Sequence, residues 1–148
     1  MTFVAVVLTL AAQMGVAPSA NIVNAIASTV EFEPAPVFAT RTHDAAFLLA
    51  YCVGETRCNE VTPAGDKGRA KGPWQLQGQC NSRPVAEHPQ CWLDIAKWSV
   101  KVCAKLPQPE RLAALASGNC EHGHVVARTR HALAMKAVAN LATVLGKP

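Results

Sequence analysis

The sequence has few aromatic and few charged residues. Only 5% of its 148 residues are Phe, Trp or Tyr and 16% are Asp, Glu, Lys or Arg, whereas half are hydrophobic. This composition, rich in Ala, Val and Leu, argues against intrinsic disorder and is typical of a compact helical protein. A chain of this length is sufficient for one domain that buries roughly 70% of its unfolded surface.

Basic clusters interleaved with aromatic residues are also missing, so nucleic acid is the weakest candidate among anionic partners. The formal net charge of +4 favours an anionic partner such as a bacterial cell wall or an acidic surface. The apolar run at residues 1–12 is too short to predict a transmembrane span. We see no internal repeats and no low-complexity segment.

Structural zinc motifs are absent, because no Cys-x-x-Cys pair is followed by paired histidines. His122 and His124 flank a glycine, but no Cys or acid completes a metal site, and we expect no cofactor. The six cysteines lie between residues 52 and 120. They predict disulfides formed in an oxidising compartment, with reduced core thiols as the alternative. The sequence does not choose among the pairings. Those considered are Cys52 with Cys58, Cys80 with Cys91, and Cys103 with Cys120.

Residues 1–41 form a first zone. Residues 1–30 predict two helices interrupted at residues 15–18, with Ser19 available to cap the second. The apolar run and the later Ala25-Ile26-Ala27 are compatible with a cleaved secretory signal. The lack of a preceding Lys or Arg favours instead a helix packed on the domain. Residues 31–41, with Pro34 and Pro36, predict a linker.

Residues 42–148 predict one domain that is mostly α, with a small β-hairpin lobe beside a cleft. Thr42 or Asp44 can cap a helix that runs to about Glu55. The glycine-rich residues 59–79 predict turns and short strands. Further helices are predicted at 91–106, from Pro109 through Leu115, and at 125–145. The predicted buried residues of the last helix are Leu133, Ala137, Val138, Leu141 and Val144. Those sharing a face of the 91–106 helix are Trp92, Ile95, Ala96, Val102 and Cys103.

Glu55 is the strongest candidate for chemistry, since it ends an apolar helix just before a glycine-rich lobe. Cleavage of a glycosidic bond requires a carboxylic acid that remains protonated near neutral pH. An apolar wall raises the pKa of a carboxyl because it disfavours the anion. On these grounds alone, a solvated surface glutamate is the commoner outcome. The side chains expected to form the wall are Tyr51, Cys52, Trp74 and Leu76.

Residues 65–75 strengthen the prediction of a saccharide site. Gly65, Gly68 and Gly72 permit turns and a close backbone approach to a bulky ligand. Trp74 offers a flat apolar face to a sugar ring, and Gln75 offers both a donor and an acceptor to an acetamido group.

Together these motifs resemble the goose-type lysozyme and soluble lytic transglycosylase superfamily. That superfamily has a catalytic Glu at a helix end, a Gly-Asp-x-Gly-x-x-x-Gly-x-x-Gln hairpin, and an Ala-x-Tyr-Asn-x-Gly turn before a helix. The resemblance covers about residues 42–140 and keeps the order of all three elements. Here they are Glu55-Thr56, Gly65-Asp66-Lys67-Gly68 through Gly72 and Gln75, and Ala116-Ser117-Gly118-Asn119. A Ser-Gly-x-Cys turn at 117–120 and an Arg-x-Arg at 128–130 are also similar.

The resemblance implies a peptidoglycan hydrolase that cleaves the β-1,4 bond between N-acetylmuramic acid and N-acetylglucosamine. It implies that Glu55 is the general acid and that Asp66 positions the attacking water. Gln75 would lie beside the N-acetyl group, and Asn119 would lie across the cleft. The protein would act outside the cytoplasm (secreted, periplasmic or carried by a phage virion) as a monomer or in an envelope assembly.

Two departures from the family pattern leave alternatives open. Thr56 replaces the usual Ser and keeps its hydroxyl, whereas Gly118 replaces a Tyr that faces the acid, a role that Tyr51 could take over. The chain could therefore be a lytic transglycosylase that forms 1,6-anhydromuramoyl ends, or a non-catalytic wall-binding module on the same fold. Asp66 could be a simple turn former. Glu31 also follows a helical segment, but no glycine hairpin follows it, so we assign it to the linker.

Overall fold

The computed structural model describes residues 1–146, and this part of the chain is mostly α-helical, as predicted. Short 3-10 turns lie between several of its helices. The six α-helices are α1 Phe3–Gln13, α2 Ala20–Phe32, α3 Arg41–Thr56, α4 His88–Val102, α5 Ala113–Ser117 and α6 His124–Val144.

The two N-terminal helices begin at hydroxyl caps. Thr2 accepts a hydrogen bond from the Ala5 amide, and Ser19 accepts one from the Ile22 amide, as the sequence predicted for the second helix. Apolar side chains of both helices belong to the same hydrophobic core as those of α3 and α6. Within residues 1–146, no helix combines the length and the hydropathy needed to traverse a lipid bilayer.

Helix α3 crosses the centre of the core and packs along α6 and both N-terminal helices. Every residue from Ala45 to Cys52 is buried. The cap differs from the prediction, because Thr40 rather than Thr42 or Asp44 accepts from a first-turn amide, that of His43. Asp44 is occupied elsewhere, since its two carboxylate oxygens accept from the amides of Val37 and Phe38. This fixes the segment between α2 and α3 against the start of α3.

Helix α6 faces the core with small residues. Ala127, Ala134, Ala137 and Leu141 are buried, which brings its backbone close to α3. The prediction that Val144 is buried is wrong, because this residue is 59% exposed at the end of the helix, away from the core. Val102 is likewise exposed at the end of α4.

The predicted β-hairpin lobe is wrong. Within residues 1–146 there is no strand, and residues 57–80, which we call the cleft loop, contain only two isolated antiparallel bridges, Gly65 with Ala70 and Lys71 with Leu76. The reason is the backbone, which enters the left-handed region too often for strands to extend. The residues at positive φ are Arg57, Cys58, Asp66, Lys67, Gly68, Gly72, Gln75 and Gly78.

Three disulfides confirm the prediction of an oxidised protein and are consistent with an extracytoplasmic location. They pair Cys52 with Cys58, Cys80 with Cys91, and Cys103 with Cys120. The first joins the end of α3 to the start of the cleft loop, and the second joins the end of that loop to α4. The third ties the segment after α4 to the turn after α5. Both ends of the cleft loop are therefore covalently anchored.

Candidate active site

A cleft of about 680 Å³ lies where α3, the cleft loop, α5 and α6 meet. Tyr51 and Glu55 line it from α3, and Asp66 lines it from the cleft loop. Residues 114–118 form another wall, and Arg130 of α6 completes the enclosure. The fold thus brings together around one cleft the three sequence elements that carry the resemblance.

Glu55 lies in the last turn of α3, one turn after Tyr51 on the same helix face. The helix ends at the next residue, Thr56, and Arg57 follows it in a left-handed conformation. Glu55 is exposed at the cleft, so its carboxyl is not enclosed by the apolar wall that the sequence predicted. The four side chains expected to build that wall are buried. Tyr51, Trp74 and Leu76 still line the cleft, whereas Cys52 does not.

Tyr51 brings a phenol to the buried side of the cleft. Only 2% of it is exposed, and its hydroxyl has no hydrogen-bond partner within residues 1–146. Burial raises the pKa of Tyr51 well above its ordinary value, while the charge of Arg130 opposes this rise and that of Glu55 adds to it. The phenol therefore stays protonated at physiological pH and is free to donate a hydrogen bond.

Asp66 lines the cleft and also shapes a turn. Its φ of 50° lies in the left-handed region, and its carboxylate accepts from Arg69 Nη2 at 3.1 Å and from Gln77 Nε2 at 2.9 Å. The turn-forming alternative and the cleft-lining position both hold for this residue. A carboxylate has about four lone-pair sites, so these two bonds leave room for a water molecule.

Gln75 also lines the cleft, but its amide is engaged within the loop. Its Oε1 accepts from the Gly65 amide at 3.0 Å, and its Nε2 donates to the Gly72 carbonyl at 3.0 Å. Trp74 is 3% exposed and donates from its indole nitrogen to the Leu48 carbonyl at 2.7 Å. Both side chains hold the cleft loop in place, and the predicted stacking face of Trp74 is largely covered.

Three other predicted site residues are not brought to the cleft lining. Thr56 donates to the Pro73 carbonyl at 2.7 Å and so ties the loop to α3. Gly72 faces the buried His88 ring, since an added Cβ would lie 2.5 Å from its Cε1 atom. Asn119 accepts from the backbone amides of residues 121 and 122 and closes the turn before α6.

Arg130 is the cleft residue that sequence reasoning missed. In the sequence, Arg128 and Arg130 stand out only as an Arg-x-Arg pair similar to that of the family, and neither is predicted to line the cleft. The signal that separates them is helical periodicity, because Arg130 falls in register with the buried Ala127, Ala134 and Ala137, whereas Arg128 does not. Arg128 is exposed and pairs with Glu110 at 2.6 Å.

Comparison of the chain with protein-family models, curated proteins and solved structures finds no significant match. Any assignment of chemistry therefore depends on the cleft itself and on the motifs around it.

The two histidines near the Asn119 turn have local roles. The Nδ1 atom of His122 lies 3.1 Å from Asn119 Oδ1, and the Nε2 atom of His124 lies 2.6 Å from the Cys120 carbonyl. In the described part of the chain, no group of three or more His, Cys, Asp or Glu residues is arranged to hold a metal ion.

Proposed function

We propose that this protein cleaves the β-1,4 glycosidic bond between N-acetylmuramic acid and N-acetylglucosamine in peptidoglycan. Glu55 is the general acid that protonates the leaving oxygen, as this class of reaction requires. The observation that carries the proposal is a cleft of about 680 Å³ lined by Glu55, Asp66 and Gly118, one residue from each motif of the resemblance. The three disulfides suit work outside the cytoplasm, where peptidoglycan lies.

Substrate binding would change the surroundings of Glu55, whose side chain is exposed at the cleft. A sugar ring bound in the cleft would exclude water from Glu55 and favour its uncharged form. The protonated Tyr51 phenol, buried without a partner, can donate to Glu55 or to the sugar. Tyr51 would thus take the part of the family Tyr that Gly118 replaces.

Hydrolysis is the course we favour, with Asp66 holding the attacking water on the face of the sugar opposite Glu55. Asp66 faces the same cleft and has free lone pairs for that water. An inverting mechanism of this kind requires the two carboxyl groups to lie about 6.5–9.5 Å apart when substrate is bound.

A second course is intramolecular attack by the muramoyl acetamido group, which yields a 1,6-anhydro end. It is favoured by one observation, namely that Asp66 is engaged by both Arg69 and Gln77. A third candidate, a wall-binding module without activity, is favoured by the missing apolar wall around Glu55.

Mass spectrometry of the digestion products of purified peptidoglycan distinguishes the three. Hydrolysis gives reducing muramoyl ends, and transglycosylation gives 1,6-anhydromuramoyl ends. Glu31→Gln is the matched control for Glu55→Gln, since Glu31 is an exposed glutamate outside the cleft. We expect reducing ends from the unaltered protein and from Glu31→Gln. Anhydro ends would show that the reaction is transglycosylation and not hydrolysis. If the protein sediments with the cell wall but produces no new ends, the binding module would be favoured.

A further inference from the structure

The cleft contains a cation whose charge no side chain neutralises. Within residues 1–146, Arg130 forms no ion pair with any carboxylate, although Glu55 and Asp66 line the same cleft. Its Nε atom is buried and has no hydrogen-bond partner. Because Arg130 also lines the cleft, its unpaired charge is available to an anionic ligand there.

The position of Arg130 is fixed by its packing. The guanidinium carbon lies 5.9 Å from the centroid of the Tyr51 ring, within the range of a cation–π interaction. The guanidinium also fills the space above Gly54, where a Cβ would lie 1.9 Å from Cζ. The Arg130 side chain is therefore held against Gly54, the residue that precedes Glu55 in α3. Arg128, two residues earlier, has none of these contacts and pairs with Glu110.

We propose that Arg130 binds a carboxylate of the glycan substrate and thereby selects muramoyl strands over chitin. This inference rests on the proposed function and names the feature of the substrate that the cleft recognises. A planar guanidinium matches a carboxylate with two parallel hydrogen bonds. Chitin carries no carboxylate. Muramoyl residues carry a lactyl group, whose carboxylate is free in peptide-free strands and is replaced by the carboxylates of the stem peptide in the others.

Titration calorimetry on the Glu55→Gln protein, which the proposed function predicts to be inactive, measures this directly. The probes are a chitin hexasaccharide, peptide-free muramoyl strands and peptide-bearing uncrosslinked strands. A charge-assisted pair contributes enough that we expect Arg130→Gln to weaken binding of muramoyl strands by roughly 10- to 100-fold. Chitin binding should change by less than about twofold, since no partner for the charge is lost. Of the two muramoyl probes, the one whose affinity falls more identifies the source of the carboxylate. A larger loss for peptide-free strands indicates the lactyl group, and a larger loss for peptide-bearing strands indicates the stem peptide.

Two further variants separate recognition from folding. Arg128→Gln removes a neighbouring exposed arginine and should leave all affinities unchanged. Arg130→Lys retains the charge without the planar fork and should lose part of the preference while its thermal unfolding matches that of the parent. An equal loss for chitin and muramoyl strands, or no loss for either, would overturn the inference.

Cleavage by the protein with Glu55 intact is measured separately. A protein that cleaves muramoyl strands without any dependence on Arg130 retains the proposed function and loses this inference. A protein that binds muramoyl strands through Arg130 but cleaves none retains this inference as a binding preference and loses the proposed activity.

Discussion

The guanidinium of Arg130 fills the space above Gly54, where a Cβ would lie 1.9 Å from the Arg130 Cζ atom. A side chain at position 54 and the observed position of Arg130 therefore exclude each other. Gly54 lies in the last turns of α3, where glycine is a poor helix former.

Gly54→Ala should displace Arg130 from the cleft without destabilising the protein. The helix gains up to about 1 kcal/mol from the better propensity of alanine, which offsets the lost packing. Calorimetry should then show a reduced preference for muramoyl strands over chitin. In an Arg130→Gln background the same change should have no further effect on the preference, as expected for two residues that act through one contact. An additive loss in the double variant would contradict this coupling.

Tyr51→Phe removes a hydroxyl that has no hydrogen-bond partner within residues 1–146. The free energy of unfolding should change by less than about 1 kcal/mol, or even increase, because no hydrogen bond is lost. If the phenol donates to Glu55 or to the sugar during cleavage, kcat should fall by about tenfold or more. Urea unfolding and digestion of muramoyl strands provide the two measurements. A lower stability with an unchanged kcat would reverse both expectations.

The hydroxyl of Thr56 links α3 to the cleft loop through the Pro73 carbonyl. Thr56→Val keeps the shape of the side chain but removes the donor, and should cost about 1 kcal/mol of unfolding free energy. Hydrogen exchange should become faster in residues 65–76, the part of the loop that this bond fixes. Thr56→Ser retains the hydroxyl and should keep the slow exchange. Equal exchange in all three proteins would show that the disulfides and the other loop contacts, such as the Trp74 bond to α3, hold the loop without Thr56.

Glu33 is buried beside the start of α3, 6% exposed. Burial raises its pKa to about 8, the neighbouring Asp44 carboxylate adds to this rise, and Arg41 opposes it. The folded protein therefore retains a proton on Glu33 that the unfolded chain releases near its ordinary pKa of 4.5. The stabilisation is fully present below pH 4.5 and is lost as the pH rises to about 8.

The free energy of unfolding, measured in urea between pH 4 and 9, should decline as the pH rises. Glu33 contributes a slope of at most about 1.4 kcal/mol per pH unit to this decline. Glu33→Gln keeps a donor toward Asp44 and should flatten the decline between pH 5 and 8. Glu31→Gln, an exposed change at the end of α2 two residues before Glu33, should leave the slope unaltered. A decline of equal slope in all three proteins would assign the pH dependence to other groups.

The sequence was informative where chemistry is local. Helical period and capping predicted α1, α2 and the last helix, and the even number of cysteines predicted disulfides without choosing their pairing. Short-range motifs also predicted that Glu55 and Asp66 would line one cleft.

The sequence was misleading where tertiary contacts decide the outcome. Gln75 and Trp74 belong to types that bind sugars, yet their polar groups are engaged by nearby backbone. Glycines suggested hairpin turns, but the non-glycine Asp66 and Lys67 also adopt positive φ and prevent strands. Arg130 was overlooked because a charged residue in the buried register of a helix is rare, and only the packing against Gly54 and Tyr51 accounts for it.

The most direct test of the central claim is the rate at which purified protein clears a suspension of bacterial cell walls, compared with that of Glu55→Gln. This substitution keeps the size of the side chain and removes the proton donor. We predict clearing by the unaltered protein and a loss of at least about 100-fold for Glu55→Gln, with unchanged thermal unfolding. Equal clearing by the two proteins would show that Glu55 is not the acid and would contradict the account.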